Sequence, residues 1–461
     1  MLKYIEFENH YKIGNLKLNF GKNENEAFKT IVLVGENGTG KTSILEALSG
    51  FQKGGYLNDF SNVKKVVYFD KYGTEHTVLK DEEKKRFSRP QFLSDSDLDA
   101  MCEYTEENYY KERCELSEAL PCDVRNSRIV FSEARSGFEV DLSHQDKFSD
   151  YEKKGSDYTG FVKLLIDLEN MDNDDYLAYA KSHLSCTYDK YMSEKSRIER
   201  FKKAFENMLD GFKYIGRNLK YQDETVYFEK NGKQIDINEL STGEKQIVFR
   251  GIDLLYHAEP GATVIIDEPE LSLHPKWQKK ILDFYRSLLM DENGEQMAQL
   301  IVATHSPYIV QSAIEDSKGM KVILLENDGT SATQIKLEDF AFDMHSAAEV
   351  NYLVFGVDAE AYHIELFGAL HGLLQQKKEP GVNSKIKSVD LYIKRHAYYD
   401  DSLHRNRDTG HGDYRDGDVT ICAYIRNAID HPDVNRHYSS EDIKNSIDLL
   451  RRIYISKKQE T

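Results

Sequence analysis

Runs of apolar residues predict β-strands through the first part of the chain. Residues 2–7 and 16–20 alternate apolar and polar positions, as half-buried strands do. Residues 30–34 are continuously apolar, which is typical of a strand that is covered on both faces. Residues 63–70 and 74–79 flank a turn at Lys71-Tyr72-Gly73, and the pattern predicts a hairpin.

Apolar residues at helical spacing predict several packed helices between residues 160 and 211, within a variable insert that spans about residues 80–212. The part from 80 to 127 is charged and weakly periodic, and residues 127–131 favour a return to a strand. Residues 225–233 predict a second hairpin at an Asn-Gly turn.

The next segment has the order helix, strand, helix, strand that is typical of an α/β fold. A helix opens at Leu240-Ser241-Thr242-Gly243-Glu244 and is followed by the buried strand 262–266. A second helix runs to about Met290, and strand 299–303 follows it. Two further β-type runs complete this part of the chain, at 321–326 and 333–337.

Beyond about Asp343, apolar residues recur at helical spacing, and a polar, glycine-bearing loop interrupts them at 400–418. The sequence therefore predicts an all-α bundle of about four helices after the α/β part. The expected helices are 347–374, 385–397, 419–430 and 440–456.

The first candidate site follows the continuous apolar strand directly, as GENGTGKTS, and leads into an amphipathic helix. This is G-x-x-x-x-G-K-[ST] between a strand and a helix, a context that favours a phosphate-binding loop over a glycine-rich turn of similar sequence. Backbone N–H groups and the helix N-terminus would surround phosphates. Lys41 would reach the β- and γ-phosphates, and the Thr42 hydroxyl would bind Mg²⁺. The loop residues that we expect to bind the nucleotide are Gly35, Asn37, Gly38, Gly40, Lys41, Thr42 and Ser43.

A second group of candidates follows the later strands. Strand 262–266 ends in Asp267 and Glu268, at the sheet edge where α/β folds bind ligands. One carboxylate can hold Mg²⁺ and the other can polarise an attacking water, although an acidic turn without such a role gives the same pattern. Strand 299–303 leads into Thr304-His305-Ser306-Pro307.

The motifs GENGTGKTS, LSTGEKQ, VIIDEPE, LSLHP and ATHSP occur in this order, and the set resembles the ATPase head of the ABC/SMC class, as found in bacterial defence ATPases. The resemblance covers about residues 1–340. It implies that ATP and Mg²⁺ are bound, with Asp267 at the metal, Glu268 as catalytic carboxylate and His305 as sensor of the γ-phosphate. It also implies a homodimer or a larger assembly, in which Ser241 and Gly243 complete the ATP site of the partner head. Thr242 and Glu244 depart from the transporter branch and fit the SMC-like branch, and the glutamine loop of the family has no clear position in the insert.

Composition narrows the class of protein. The chain has 461 residues, 40% of them hydrophobic and 30% charged, as in a soluble globular protein of two or three domains. The net charge of −18 argues against a surface that coats nucleic acid broadly. Five cysteines without metal-type spacing fit reduced thiols. The sequence contains no signal peptide or membrane-spanning run, so we expect a cytoplasmic protein without a membrane partner.

The helical tail contains Arg426 and His431, five residues apart near one helix end. Such a pair could cleave RNA without a metal, with Arg426 contacting the phosphodiester and His431 acting as acid or base. The spacing and Asn427 resemble the motif of HEPN-type ribonucleases, including anticodon nucleases that an ATPase head regulates. The alternative is structural, with Arg426 paired to Asp430 and His431 at the helix end.

We therefore expect two domains. Residues 1–340 form an α/β ABC-type P-loop ATPase head with a helical insert, and residues 341–461 form an all-α HEPN-like bundle. The predicted function is antiviral defence, in which the ATPase dimer controls cleavage of RNA, with tRNA as the substrate that the resemblance implies. In the alternative, a sensor ATPase holds a separately encoded nuclease through its tail. A DNA-repair clamp is disfavoured by the acidic charge and by the absence of a long heptad pattern.

Overall fold

The computed structural model describes residues 1–53, 62–69, 73–81, 86–88, 129–132, 159–217, 225–258, 260–316, 319–327, 332–335, 341–342, 346–405, 419–431 and 437–460. The chain divides into two compact units, Met1–Ile335 and Lys336–Thr461. Several predicted features lie outside the described residues: most of segment 80–127, Lys71 and Tyr72 of the first turn, loop 406–418 and three cysteines, Cys102, Cys114 and Cys122.

A six-stranded sheet forms the centre of the first unit, in the order β14-β13-β3-β12-β11-β7. Its strands are β3 (Thr30–Gly35), β7 (Ile129–Ser132), β11 (Thr263–Asp267), β12 (Gln299–Thr304), β13 (Met320–Asn327) and β14 (Ala332–Ile335). All neighbours are parallel except β13 and β14. Every residue of β3, β11 and β12 is buried, which explains their continuous apolar sequences. The parallel register places the ends of β3, β11 and β12 at one edge.

A five-stranded antiparallel sheet precedes the insert, in the order β2-β1-β4-β5-β6. Its strands are β1 (Leu2–Phe7), β2 (Lys17–Asn19), β4 (Val63–Phe69), β5 (Glu75–Asp81) and β6 (Arg86–Ser88). The predicted hairpin is confirmed, because β4 and β5 pair in antiparallel register, from Lys65 opposite Leu79 to Phe69 opposite Glu75. The inward residues of β1 and β4 share one core with β3 and the first helix, α1 (Lys41–Lys53).

The insert contains the helices α2 (Thr159–Ala180), α3 (Tyr188–Lys195) and α4 (Arg197–Met208), as the apolar spacing predicts. A three-stranded antiparallel sheet follows: β8 (Phe212–Arg217), β9 (Val226–Lys230) and β10 (Lys233–Asp236). The hairpin at Asn231-Gly232 is confirmed, with both residues at positive φ. We did not predict β8. In this strand Phe212, Tyr214 and Gly216 are buried, and the residues between them are exposed.

The remaining helices of the first unit cover the central sheet. They are α5 (Thr242–His257), α6 (Pro275–Gln278), α7 (Ile281–Leu288) and α8 (Pro307–Glu315). The helix expected after Trp277 and up to about Met290 corresponds to α7, and the short helix α6, which we did not predict, precedes it.

The second unit is all-helical in its described residues. Its helices are α9 (Ala347–Phe355), α10 (Ala359–Gln376), α11 (Ile386–Arg395), α12 (Asp401–His404), α13 (Ile421–Asp430) and α14 (Ser440–Gln459). The expectation of one helix over 347–374 is wrong. Gly356 and Asp358 both have left-handed backbone conformations, with φ of 63° and 58°, and these end one helix before the next begins. In both units, no described helix combines the length and apolarity needed to cross a bilayer.

Candidate nucleotide-binding site

The loop between β3 and α1 has the backbone of a phosphate-binding loop. Gly38 and Gly40 have φ of 89° and 88°, which only glycine adopts readily. A Cβ at Gly35 would lie 2.6 Å from the carbonyl oxygen of Leu325 and 2.7 Å from Thr39 Oγ1, so no larger residue fits there. Asn37 is exposed at the tip of the loop, and Ser43 is buried in the first turn of α1.

Lys41 lies inside this loop. Its Nζ donates to the carbonyl oxygens of Gly35 at 2.8 Å and Glu36 at 3.0 Å, and the side chain is buried. Burial lowers the pKa of Lys41, and the nearby carboxylates, led by Glu268 and Asp267, oppose that effect. The ammonium therefore lies where it can exchange carbonyl contacts for phosphate contacts, with its charge supported by the acidic residues that follow β11.

Thr42 and Asp267 form the candidate Mg²⁺ site. The Thr42 hydroxyl donates to Asp267 Oδ2 at 2.7 Å, although 225 residues separate the two. Asp267 is 1% exposed, and its Oδ1 is buried without a hydrogen-bond partner among the described residues. Burial raises the pKa of Asp267 from 3.8 to about 6, while the bond from Thr42 acts in the opposite direction. A buried carboxylate oxygen with no donor fits a divalent cation, which would supply the missing positive charge.

Glu268 leaves β11 with a strained backbone. Its φ is 46°, in the left-handed region that is uncommon for a non-glycine residue, and its N–H donates to the carbonyl oxygen of Ala303 at 2.9 Å. Such strain is held by surrounding structure and is frequent at functional sites. The conformation turns the chain at the end of β11, so that consecutive carboxylates take different directions: Asp267 contacts Thr42, and Glu268 approaches His305.

His305 lies between two carboxylates. Its Nδ1 is 3.3 Å from Oε1 of Glu268 and 3.3 Å from Oε1 of Glu270. Glu270 also accepts hydrogen bonds from the Thr304 hydroxyl at 2.7 Å and from the His305 N–H at 2.8 Å. The buried Glu270 thus orients the histidine through its backbone, while 39% of the imidazole stays exposed.

Sequence reasoning missed Glu270, although its position in the DEPE motif could have suggested it.

Sequence reasoning also missed the turn at residues 10–13, because that turn is separated from the phosphate loop in sequence. A Cβ at Gly40 would lie 3.3 Å from Ile13, so this turn packs directly on the loop. Tyr11 in the same turn is 78% exposed and stacks on His10, with 4.9 Å between ring centroids.

Ser241 and Gly243 begin α5. The Ser241 side chain accepts from the N–H of Glu244, whose carboxylate accepts from the N–H of Ser241 at 2.8 Å, which makes a reciprocal capping box. Lys230 pairs with Glu244 at 3.0 Å. A Cβ at Gly243 would lie 2.5 Å from the carbonyl oxygen of Ser272, so glycine is needed where α5 meets this turn.

The structure therefore brings together Lys41, Thr42, Asp267, Glu268 and His305. The two residues at the start of α5 form no hydrogen bond with the phosphate loop in the part of the chain that is described. Ser241 is exposed at a helix N-terminus.

In the second unit, Arg426 and His431 occupy the end of α13. Arg426 Nη2 lies 2.5 Å from Asp430 Oδ2, and Nη1 donates to Asn427 Oδ1 at 3.0 Å. His431 is the C-terminal cap residue of the helix, and its N–H donates to the carbonyl oxygen of Asn427 at 3.0 Å. These are the contacts expected if the pair has a structural role, with Arg426 paired to Asp430 and His431 at the helix end. Pro432 lies outside the described residues.

The order of these elements defines a class of protein. A phosphate loop after β3, an acidic pair at the end of β11 and a histidine after β12, on neighbouring parallel strands, have the arrangement expected of a P-loop ATPase head. More narrowly, the chain belongs to the family described as "AAA domain, putative AbiEii toxin, Type IV TA system", whose model matches residues 31–311.

Comparison with known proteins gives several relatives. The chain is 21% identical to "Septu protein PtuA" of Bacillus thuringiensis over 417 residues, covering 85% of this chain and 94% of that one. It is 22% identical to a protein of the same description from Bacillus mycoides (strain KBAB4) over 343 residues, 72% of this chain but only 41% of the relative's length.

A third relative matches a shorter segment. The "Retron Vc95 probable ATPase" of Vibrio cholerae serotype O1 biovar El Tor is 34% identical over 137 residues, 27% of this chain and 24% of that one. Among solved structures, the "SMC head domain from Thermotoga maritima" aligns over 73% of this chain and 99% of its own length, with 14% identity and a TM-score of 0.37.

Proposed function

We propose that this protein is an ATP-hydrolysing component of antiviral defence, whose heads pair around ATP and thereby control an effector. The observation that carries the proposal is the convergence of Thr42, Asp267, Glu268 and His305 around the phosphate loop. The Septu and retron relatives support the defence role.

Each residue of the site has a distinct role in this proposal. Lys41 and the N–H groups of the loop bind the β- and γ-phosphates, and Thr42 and Asp267 hold Mg²⁺, which neutralises phosphate charge when it is bound. Glu268 orients and polarises the attacking water. His305, held by Glu270, contacts the γ-phosphate and reports its presence to α8, which begins two residues later.

The second half of the site comes from a partner chain. Ser241 and Thr242 are exposed at the N-terminus of α5, where the helix dipole and the N–H groups of Thr242 and Gly243, which the capping box does not engage, favour an approaching anion. In the described part of the chain, neither residue donates or accepts a hydrogen bond with the phosphate loop of its own head. A γ-phosphate presented by a second head would complete this anion site, so ATP would hold two heads together.

ATP turnover by purified protein tests the catalytic assignment. Glu268→Gln should lower turnover by about 100-fold or more while ATP binding persists, because the amide keeps the size of the side chain but cannot act as a base. Lys41→Ala should lose both binding and turnover. Unchanged hydrolysis in Glu268→Gln would overturn the role of Glu268.

For the helical unit, we favour an interaction module that binds a separately encoded effector. The supporting observation is the ion pair of Arg426 with Asp430 and its bond to Asn427, which engage the guanidinium within α13. The ribonuclease is the second candidate. It is favoured by the position of Arg426 and His431 at one helix end, with His431 exposed, and it would need Arg426 to leave Asp430 for an RNA phosphate.

One experiment separates the two candidates. Wild-type protein, Arg426→Ala and His431→Ala are incubated with total tRNA, ATP and Mg²⁺, and cleavage is followed on gels. No cleavage by any of them, together with co-purification of a neighbouring gene product that the isolated heads do not bind, supports the interaction module. Cleavage by wild type alone would establish the ribonuclease and overturn our preference.

A further inference from the structure

A cavity in the first unit lies away from the phosphate loop. It is lined by residues that directly precede strands of the central sheet, Pro260 before β11 and Met297 before β12. The phosphate loop and Asp267 lie at the opposite ends of these parallel strands. The cavity is thus at the amino edge of the sheet, where α2, α3 and α4 of the insert meet the end of α5.

The cavity has a volume of about 200 Å³. Its walls are largely apolar, and include Met171, Leu255, Tyr256 and Met297. Thioether and aromatic side chains of this kind pack well against flat rings. The cavity is smaller than the roughly 300–1,000 Å³ of pockets that enclose a whole drug-sized ligand, so it can enclose a ring system while the rest of the ligand stays outside.

Four charged residues line the same cavity: the cations Lys195, Arg197 and Arg200, and the carboxylate of Asp175. Arg197 is neutralised by Asp172 at 3.0 Å and Asp175 at 2.7 Å, and Lys195 pairs with Glu292. These two cations have partners on the protein.

Arg200 differs from its neighbours. Its Nη1 donates to the carbonyl oxygen of Leu288 at 3.2 Å, and no described carboxylate forms an ion pair with it. Burial, followed by repulsion from Arg197, lowers the pKa of Arg200. Among the described residues its hydrogen-bond partner is that one carbonyl, and Asp172 and Asp291 partly oppose the lowering of its pKa, so the guanidinium retains N–H donors for an anion. Guanidinium groups bind phosphate through two parallel hydrogen bonds.

We propose that this cavity binds a nucleoside monophosphate, with the phosphate on Arg200 and the base against Tyr256 and Met297. The site would be separate from the ATP site and would lie between the insert and the head. A ligand that bridges these parts would stabilise one arrangement of the insert helices, so the ATPase could respond to the cellular nucleotide pool.

The test is calorimetric titration of the full chain carrying Lys41→Ala, so that the phosphate loop does not contribute. AMP, GMP, CMP, UMP and inorganic phosphate are the probes. At least one nucleotide should bind with a submillimolar Kd, and Arg200→Gln should weaken that binding about tenfold or more, since a charge-assisted hydrogen bond is lost. Lys203→Gln, on the same helix but with its side chain 61% exposed and outside the cavity, is the matched control and should leave the Kd unchanged.

Lys195→Gln, in the wall of the same cavity, gives a second measure should Arg200→Gln fold poorly, and it should also weaken nucleotide binding, because it removes a nearby positive charge. The proposal is overturned by the absence of binding up to millimolar nucleotide, or by equal affinity in wild-type and Arg200→Gln cavities. Inorganic phosphate that binds as tightly as every nucleotide would also overturn it, because the apolar walls would then contribute nothing.

Discussion

Replacement of Asp267 by asparagine should stabilise the nucleotide-free protein while removing its response to Mg²⁺-ATP. The wild-type carboxylate is 1% exposed, and burial raises its pKa from 3.8 to about 6. At about 1.36 kcal/mol for each tenfold change in proton affinity, this difference corresponds to about 3 kcal/mol of destabilisation when the group is ionised. Asparagine keeps an acceptor for Thr42 but buries an unpaired amide N–H, so we expect a net gain of about 1–2 kcal/mol.

The stability difference between Asp267→Asn and wild type should depend on pH in a defined direction. A carboxyl group whose pKa is higher in the folded state stabilises the protein at low pH, and that contribution is lost as pH rises from about 4 through 6. The melting temperature of Asp267→Asn should therefore exceed that of wild type by about 2–5 °C at pH 7.5, and the difference should shrink as pH falls and change sign near pH 4, where the wild-type carboxyl is protonated and the unpaired amide of the variant still costs stability. Scanning calorimetry without nucleotide measures it. A difference that is negative at pH 7.5, or that does not depend on pH, would contradict a buried and destabilising carboxylate at Asp267, and normal stabilisation of the variant by Mg²⁺-ATP would contradict its role at the metal.

Two stability predictions follow from local contacts. Gly243→Ala should destabilise the first unit by about 1–3 kcal/mol, because the new methyl group meets the backbone carbonyl of Ser272 at 2.5 Å. Gly368→Ala in α10, where a Cβ meets nothing within 4 Å, is the control and should be neutral or stabilising in denaturant titrations. Asp172→Ala should cost about 2–4 kcal/mol, since its carboxylate caps α4 and pairs with Arg197. Asp175→Ala, which removes a 51% exposed partner of the same arginine, should cost about 0–1 kcal/mol, and equal losses would contradict the difference in burial.

The sequence predicted the parts of the fold in which the pattern of apolar and polar residues along a segment matches the burial of that segment in the folded protein. The buried strand 30–34, the glycines of the loop and Lys41 lie together along the chain, so their geometry follows from a few adjacent residues. The strands that end at Asp267 and Thr304 are continuously apolar because both of their faces are covered.

Other features depend on contacts that are distant in sequence. The role of Glu270 rests on its bonds to Thr304 and the His305 N–H, 34 and 35 residues away. The break between α9 and α10 depends on a left-handed conformation at Asp358, which side-chain periodicity does not report. The state of Arg426 depends on rotamers within α13, so the spacing of arginine and histidine could not decide between a catalytic and a structural role.

We propose that ATP joins two heads, and that the start of α5 in one chain completes the ATP site of the other. Thr242→Glu tests this claim with little risk to folding, because an acidic residue in the first turn of a helix is favourable to that helix. In a partner's site, however, the same carboxylate would face the γ-phosphate and repel it. Thr242 is exposed, so the substitution requires no repacking.

The most direct measurement is the mass in solution of Glu268→Gln, by light scattering or sedimentation, with and without saturating Mg²⁺-ATP. We predict a dimer with ATP and a monomer without it. The double variant Thr242→Glu/Glu268→Gln should still bind ATP but remain monomeric. A monomer of Glu268→Gln under saturating ATP, or an unimpaired dimer in the double variant, would contradict the shared site.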